Sequence, residues 1–215
     1  MLEPEEILEE VIAFFTPKLF AGRRVLMTAG PTFETIDAVR GITNLSSGRM
    51  GYALARAARR AGAAVTLVSG PVGLPLPQGI EGVAVTSARD MHAAVMARAG
   101  AANIFIGVAA VADYRVANAA DHKLKKDTDG VPPLELVENP DILAEVAALA
   151  KPPFCVGFAA ESQNLEEYAQ KKRHKKKIPL IAGNLIQEGF GGEDNRLVLF
   201  DDAGVHPLTP GPKAV

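Results

Sequence analysis

Apolar residues along the chain gather in short unbroken runs separated by longer amphipathic stretches, the alternation expected when buried strands are joined by helices. The run Arg24 to Ala29 stops at Gly30-Pro31 and reads as a first strand, and Tyr52 to Ala63 has helical periodicity. Strands are expected at Ala64 to Ser69 and Glu81 to Thr86, with the proline-rich Pro71 to Gly79 loop between them, and Ser87 caps a helix reaching Ala99. Ile104 to Ala109 shows no polar alternation, as suits a strand covered on both faces. A short helix from Asp141 to Leu149, a strand from Phe154 to Ala159, a helix from Leu165 to Lys177 and a strand from Ile178 to Ala182 follow. Leu197 to Leu208 reads as a hairpin or meander around Gly204, and no internal repeat is visible. The pattern predicts a doubly wound, mostly parallel α/β sheet with helices on both faces and a ligand crevice beyond the carboxyl ends of its strands.

Two stretches break the alternation. Between Ala29 and Ser47 nothing regular is evident, a connection about three times the usual strand-to-helix length, and such loops in compact domains tend to carry function. Glu34, Asp37, Arg40 and Asn44 lie in it, so it reads as a substrate loop. The loop then enters a helix through Asn44-Leu45-Ser46-Ser47-Gly48-Arg49-Met50-Gly51. A helix start leaves backbone N–H groups without partners, and glycines let an anion approach them, so this turn suits a phosphate; an ordinary Ser N-cap is the competing reading. The second break runs from Asp113-Tyr114 through Lys123-Leu124-Lys125-Lys126 to Leu134 and Asn139-Pro140-Asp141. Lysines facing a carboxylate and a helix start suit a polyanion that must be neutralised. For Lys125 and Lys126 a solvated loop is the preferred reading, and for Asp141 an N-cap is the plain alternative.

Composition narrows the class. A chain of 215 residues, 48% hydrophobic and 22% charged, suits one globular domain with a sizeable core, or one domain plus appendages. The net charge of -2 gives no support to wholesale nucleic-acid or membrane-surface binding. The longest uncharged stretch, Ala99 to Ala112, is too short to span a bilayer, and the acidic N-terminus is unlike a secretory signal. The lone Cys155 rules out an internal disulfide, fits a reducing cytoplasm, and sits in an apolar run as a small buried hydrophobe. His92, His122, His174 and His206 have no metal-ligand spacing.

Lysines crowd one helix end, where Lys172 and Lys176 fall one turn apart on one face and could share a ligand, while most neighbours read as solvated. Tyr168 and Lys172 also have the Tyr-x-x-x-Lys spacing of short-chain dehydrogenases, but the G-x-G-x-x-G fingerprint is absent and Ser162 sits too near.

Taken in order, Thr28-Ala29-Gly30-Pro31-Thr32, Asn44 with Ser46 to Gly51, Val65 to Pro71, Ala109 to Tyr114, Lys123 to Lys126, Asn139 to Ile142 and Gly157 to Glu161 resemble the phosphopantothenoylcysteine synthetases. The likeness covers nearly the whole chain and is strongest to the bacterial CTP-using domain fused behind a phosphopantothenoylcysteine decarboxylase. It implies a Rossmann-like fold, a flexible lysine-bearing loop, a linker or N-terminal helix over residues 1–20 and a phosphopantothenate-cysteine ligase domain over 21–215. Met1 to Ile7 resembles the linker after the decarboxylase half, so an excised piece is expected.

By that resemblance, the carboxylate of 4'-phosphopantothenate attacks the α-phosphate of CTP, and the amine of L-cysteine then displaces CMP. Mg2+, or Mn2+, would accompany the triphosphate, and Asp113 could bind the metal, the ribose or a lysine. Lys123 would neutralise the triphosphate and Asn44 would orient the acyl-cytidylate, the two catalytic assignments. Arg40, Asn44, Ser46, Ser47 and Gly48 would hold the substrate phosphate or the cytidylate. Nucleotide contacts fall on Gly107, Val108, Ala109, Asp113, Lys123, Pro140, Asp141, Ile142, Leu143, Phe158, Lys172 and Lys176. The family is homodimeric, and a homodimer is expected here.

Departures from the family pattern are Arg49 for a commoner lysine, Phe33 for an arginine, and Asn184-Leu185 for Asn-Asp, which weakens any ligand role for that loop. Relatives continue past the position of Val215 into a helix, so truncation is a further expectation. A CTP-binding regulatory partner without turnover and a nicotinamide oxidoreductase are the competing classes.

Overall fold

A computed structural model describes residues 3–125, 133–185, 194–195, 197–209 and 211–212. Its framework is an eight-stranded sheet. From one edge the strands are β13 (Val205–Pro207), β12 (Val198–Phe200), β10 (Leu180–Leu185), β9 (Phe154–Glu161), β6 (Ile104–Gly107), β1 (Arg24–Ala29), β4 (Ala64–Ser69) and β5 (Glu81–Ala84). The strands from β10 to β5 run parallel, and β12 and β13 add the expected C-terminal hairpin in antiparallel register. The chain builds from β1 outward through β4 and β5, then returns to place β6, β9 and β10 on the other side, so strand order reverses between β1 and β6. Ligand crevices form at such reversals.

Alternation along β1 explains the two layers. Val25, Met27 and Ala29 pack with Val65, Leu67 and the helix α2 (Arg49–Arg60), which contributes Tyr52, Ala55 and Ala58. Leu26 points the other way into a core with Val68, Phe105, Cys155 and Ile181. That core is closed by α3 (Ala88–Ala99), α4 (Ile142–Ala147) and α5 (Leu165–Lys176) through Met91, Val95, Val146 and Ala169. Burial pushes the Cys155 thiol up to about 11, as suits a small core residue and not a nucleophile. Ser87 caps α3 as its sequence suggests, exchanging hydrogen bonds with Asp90 at 3.0 and 3.1 Å.

Both stretches read as irregular contain paired strands. β2 (Phe33–Thr35) and β3 (Gly41–Thr43) form a short antiparallel hairpin inside the long first loop. β7 (Tyr114–Val116) pairs likewise with β8 (Leu136–Glu138). Three-residue strands carry too little periodicity to be seen in sequence. Other bounds shift by a few residues: β9 runs on to Glu161, and α2 starts at Arg49. The strand expected through Ala109 stops at Gly107, because the next two N–H groups turn aside to donate to Thr28 Oγ1, both at 3.2 Å. No helix among the described residues is long and apolar enough to cross a membrane.

Candidate active site

A cavity of about 520 Å3 opens where the strand order reverses, within the size range of small-ligand sites. Its floor is the carboxyl ends of β1, β6 and β9, contributing Thr28, Gly107, Phe158 and Ala160. One wall is the segment after β6, Val108 to Tyr114, and another is Asn139 to Leu143 at the start of α4. Lys172, Lys175 and Lys176 from the end of α5 complete it. Asn139 fastens the walls, since its backbone N–H donates to Asp113 O at 2.8 Å and its Nδ2 to Ala112 O at 2.9 Å.

The lysines are held in different ways. Lys176 Nζ lies 2.7 Å from both carboxylate oxygens of Asp141, and Asp141 Oδ1 also accepts from Ala144 N at 3.1 Å as the N-cap of α4. Burial alone would raise the Asp141 carboxyl, but the hydrogen bonds from Lys176 and Ala144 and the nearby charges leave it below its ordinary value. Lys172 Nζ donates to Phe158 O at 2.6 Å. Burial pushes the Lys172 ammonium below the ordinary lysine value and Lys176 adds to this, against the opposing pull of Glu161, Asp141 and Asp113. The Lys172 and Lys176 pair read from helical spacing therefore does converge. Lys175, read as solvated, also lines the cavity; with Lys172 it forms an i, i+3 pair, the signal that could have found it.

Of the nucleotide positions implied by resemblance, Gly107, Val108, Ala109, Asp113, Pro140, Asp141, Ile142, Leu143, Phe158, Lys172 and Lys176 all line this cavity. Lys123 does not. It is exposed on the segment before residue 126, whose next residue is tied to the β2–β3 turn: Leu124 N donates to Asp37 Oδ2 at 3.2 Å and Leu124 O accepts from Arg40 Nη2 at 3.0 Å. Lys126 lies outside the described residues. Tyr168 does not line the cavity either, so the dehydrogenase-like spacing brings no Tyr–Lys pair together there.

The long first loop builds a second region beside the cavity. Asn44 Nδ2 donates to Ala110 O at 3.0 Å, and Ala110 N donates to Gly30 O at 2.9 Å, so Asn44 stands at the cavity rim. The N-cap of α2 is Gly48, at φ +74°, and not a serine. A Cβ on Gly48 would sit 2.8 Å from Val72 Cγ1, so both its conformation and its close approach require glycine. Ser46 and Ser47 reach Gly48 N and Arg49 N only at 3.4 and 3.5 Å, and the first turn holds no acidic residue, so its N–H groups remain suited to an anion.

The other polar groups of that loop serve the scaffold. Glu34 is buried and accepts from Ala88 N at 2.8 Å at the start of α3. Asp37 is buried beneath Arg40, whose guanidinium, with the N–H groups of Val39, Arg40 and Leu124, holds the carboxyl well below the usual range. Arg40 thus has Nε and Nη2 engaged by Asp37 before any ligand arrives. Among the described residues no group of three or more His, Cys, Asp or Glu could hold a metal. His92 and His206 pair with Glu145 and Asp201 at 2.7 and 3.0 Å.

Residues 20–214 match the family described as DNA/pantothenate metabolism flavoprotein C-terminal domain. The chain belongs to that family. The coenzyme A biosynthesis bifunctional protein CoaBC of Vibrio cholerae aligns with this chain over 213 residues at 51% identity, which is 97% of this chain and 53% of that protein. The Escherichia coli CoaBC is 49% identical over 217 residues, again 97% and 53%. The chain spans about half the length of these curated relatives. The crystal structure of the C-terminal domain of a CoaBC superposes with a TM-score of 0.76 at 38% identity, covering 90% of this chain and 91% of that one. A Cab2 mutant in complex with phosphopantothenate-cysteine shares the fold, with a TM-score of 0.72 at 16% identity over 95% of this chain and 86% of that one. The match to the flavoprotein C-terminal domain family takes in the sheet, both hairpins and the cavity, and leaves out the helix α1 (Pro4–Phe15).

Proposed function

We propose that this domain is a phosphopantothenate-cysteine ligase that uses CTP to join 4'-phosphopantothenate to L-cysteine in coenzyme A biosynthesis. The observation that carries the reading is the cavity at the strand-order reversal, with Lys172, Lys175 and Lys176 on one side, Asn44 meeting it at Ala110, and the open α2 N-terminus a few residues on from Asn44. The lysine-lined part suits a triphosphate, and the helix start suits the phosphate of a second anionic substrate. The CoaBC relatives, named for coenzyme A biosynthesis, support that choice of substrates.

In the proposed reaction a carboxylate oxygen of phosphopantothenate attacks the α-phosphorus of CTP, the bond to pyrophosphate breaks, and an acyl-cytidylate results. The cysteine amine then attacks the acyl carbon, loses a proton, and expels CMP. Two polyanions must meet, so cationic side chains lower the repulsion between them. Lys172 and Lys176 hold charge at the cavity wall, Lys123 approaches from outside to neutralise the triphosphate, and the Asn44 amide donates to the developing oxyanion of the second step. The carboxylate of Asp113 on the cavity wall is a hard oxygen donor that fits Mg2+ or Mn2+. A divalent cation bound there and by the nucleotide phosphates would supply charge neutralisation. The partners implied are the three substrates, a second copy of the chain and a decarboxylase half in the longer protein.

Pyrophosphate release tests the reading. It should require CTP and phosphopantothenate, with amide appearing only when cysteine is added. CTP binding without pyrophosphate release would assign a regulatory partner, and turnover with NADPH alone would assign an oxidoreductase.

A further inference from the structure

Helix α1 is amphipathic in the reverse of the usual sense. Its polar side faces its own domain: Arg60 makes a paired contact with Glu9 at 2.7 and 3.1 Å, Arg59 pairs with Glu10, and Ala13 is the residue buried between them. Its large apolar residues face out. Ile7, Leu8, Val11, Phe14 and Phe15 fall on one stripe of a helix and are 48% to 78% exposed, with Leu19 beyond them at 82%. Partly exposed ion pairs contribute little, whereas covering large apolar side chains contributes more, so the stronger face is the one left open.

We propose that this stripe is a docking surface for the N-terminal half of the longer bifunctional proteins to which this domain corresponds. Residues 1–19 lie outside the family match, yet the alignment with a Vibrio vulnificus CoaBC takes in 100% of this chain and 55% of that protein. The helix is thus shared with the two-part proteins although the family match leaves it out. Size points the same way. A helix of 12 residues is about 18 Å long, and one such stripe is small beside the roughly 1,200–2,000 Å2 of a stable association between separate chains. A half joined covalently at this end meets the stripe at high effective concentration, so a small apolar contact suffices.

Hydrogen exchange tests the assignment. The 215-residue chain is compared with the same chain joined behind the N-terminal half of the Vibrio cholerae protein. The amides of residues 7–15 should exchange about tenfold or more slowly in the joined protein, and Leu8→Ser with Phe15→Ser should remove that protection. Both substitutions are at exposed positions, and an unchanged thermal midpoint shows that the domain itself still folds. Equal exchange in the two proteins overturns the proposal. Protection in the chain alone that rises with its concentration assigns the stripe to a second copy and overturns it as well.

Discussion

Lys176 and Asp141 meet across the mouth of the cavity, with Nζ 2.7 Å from both carboxylate oxygens, so the end of α5 is tied to the start of α4. The same carboxylate caps α4 through Ala144 N, and the lysine is thereby held at the cavity before any nucleotide binds. Charge-assisted bonds are worth about 1.5–3 kcal/mol, so Lys176→Met should weaken CTP binding by about tenfold or more in a calorimetric titration. Unchanged affinity would remove Lys176 from the nucleotide site.

Lys172 makes that binding depend on pH. Its ammonium is held below the ordinary lysine value of about 10.4, by burial first and by Lys176 second. Only the protonated form attracts a triphosphate, so affinity should be full at neutral pH and decline as pH rises through the lowered value, before ordinary lysines titrate. Lys172→Arg keeps its charge throughout and should abolish the decline in titrations run from neutral to alkaline pH. A wild-type profile that stays flat until the ordinary lysine range would contradict this role.

Asp37 gives stability an acid limb. Its carboxyl is depressed in the folded protein by Arg40 and three backbone N–H groups, so its contribution is complete above the unfolded value of about 3.9 and is lost as pH falls through the folded one. Asp37→Asn should lower the urea midpoint at neutral pH and flatten the loss of stability in acid. The Leu124 segment should loosen in the same variant, because Leu124 N donates to this carboxylate.

The two catalytic assignments separate by step. Lys123→Gln should suppress pyrophosphate formation, and wild-type rates in that variant would remove the residue from the mechanism. Asn44 donates to Ala110 O, which an aspartate cannot do, so Asn44→Asp should form the activated intermediate and convert it poorly. Normal amide production by Asn44→Asp would refute its role.

Much of this organisation was legible from residue patterns. The long parallel strands and the helices between them announce themselves because both faces of a central strand are buried and so mostly apolar, as Val25, Leu26, Met27 and Ala29 show. The pairing of Lys172 with Lys176 followed from one helical turn. The two hairpins did not show, since three residues are too few for a period. Nor did the duties of Glu34 and Asp37: a carboxylate in a long loop looks the same whether it meets a substrate or, as Glu34 does, the N–H of Ala88 more than fifty positions away. Gly48 was visible as a glycine, but the close approach that leaves no room for a side chain comes from Val72, in a distant loop. Nor did the outward face of α1 show, since its direction is set by where Arg59 and Arg60 lie on α2.

Whether the cavity is the nucleotide site is decided by a crystal of this protein soaked with CTP and Mg2+. Triphosphate density should appear between the α5 lysines and the start of α4, beside Lys172, Lys176 and Asp113. Nucleotide density elsewhere on the sheet, or a cavity still empty at saturating CTP, would contradict it.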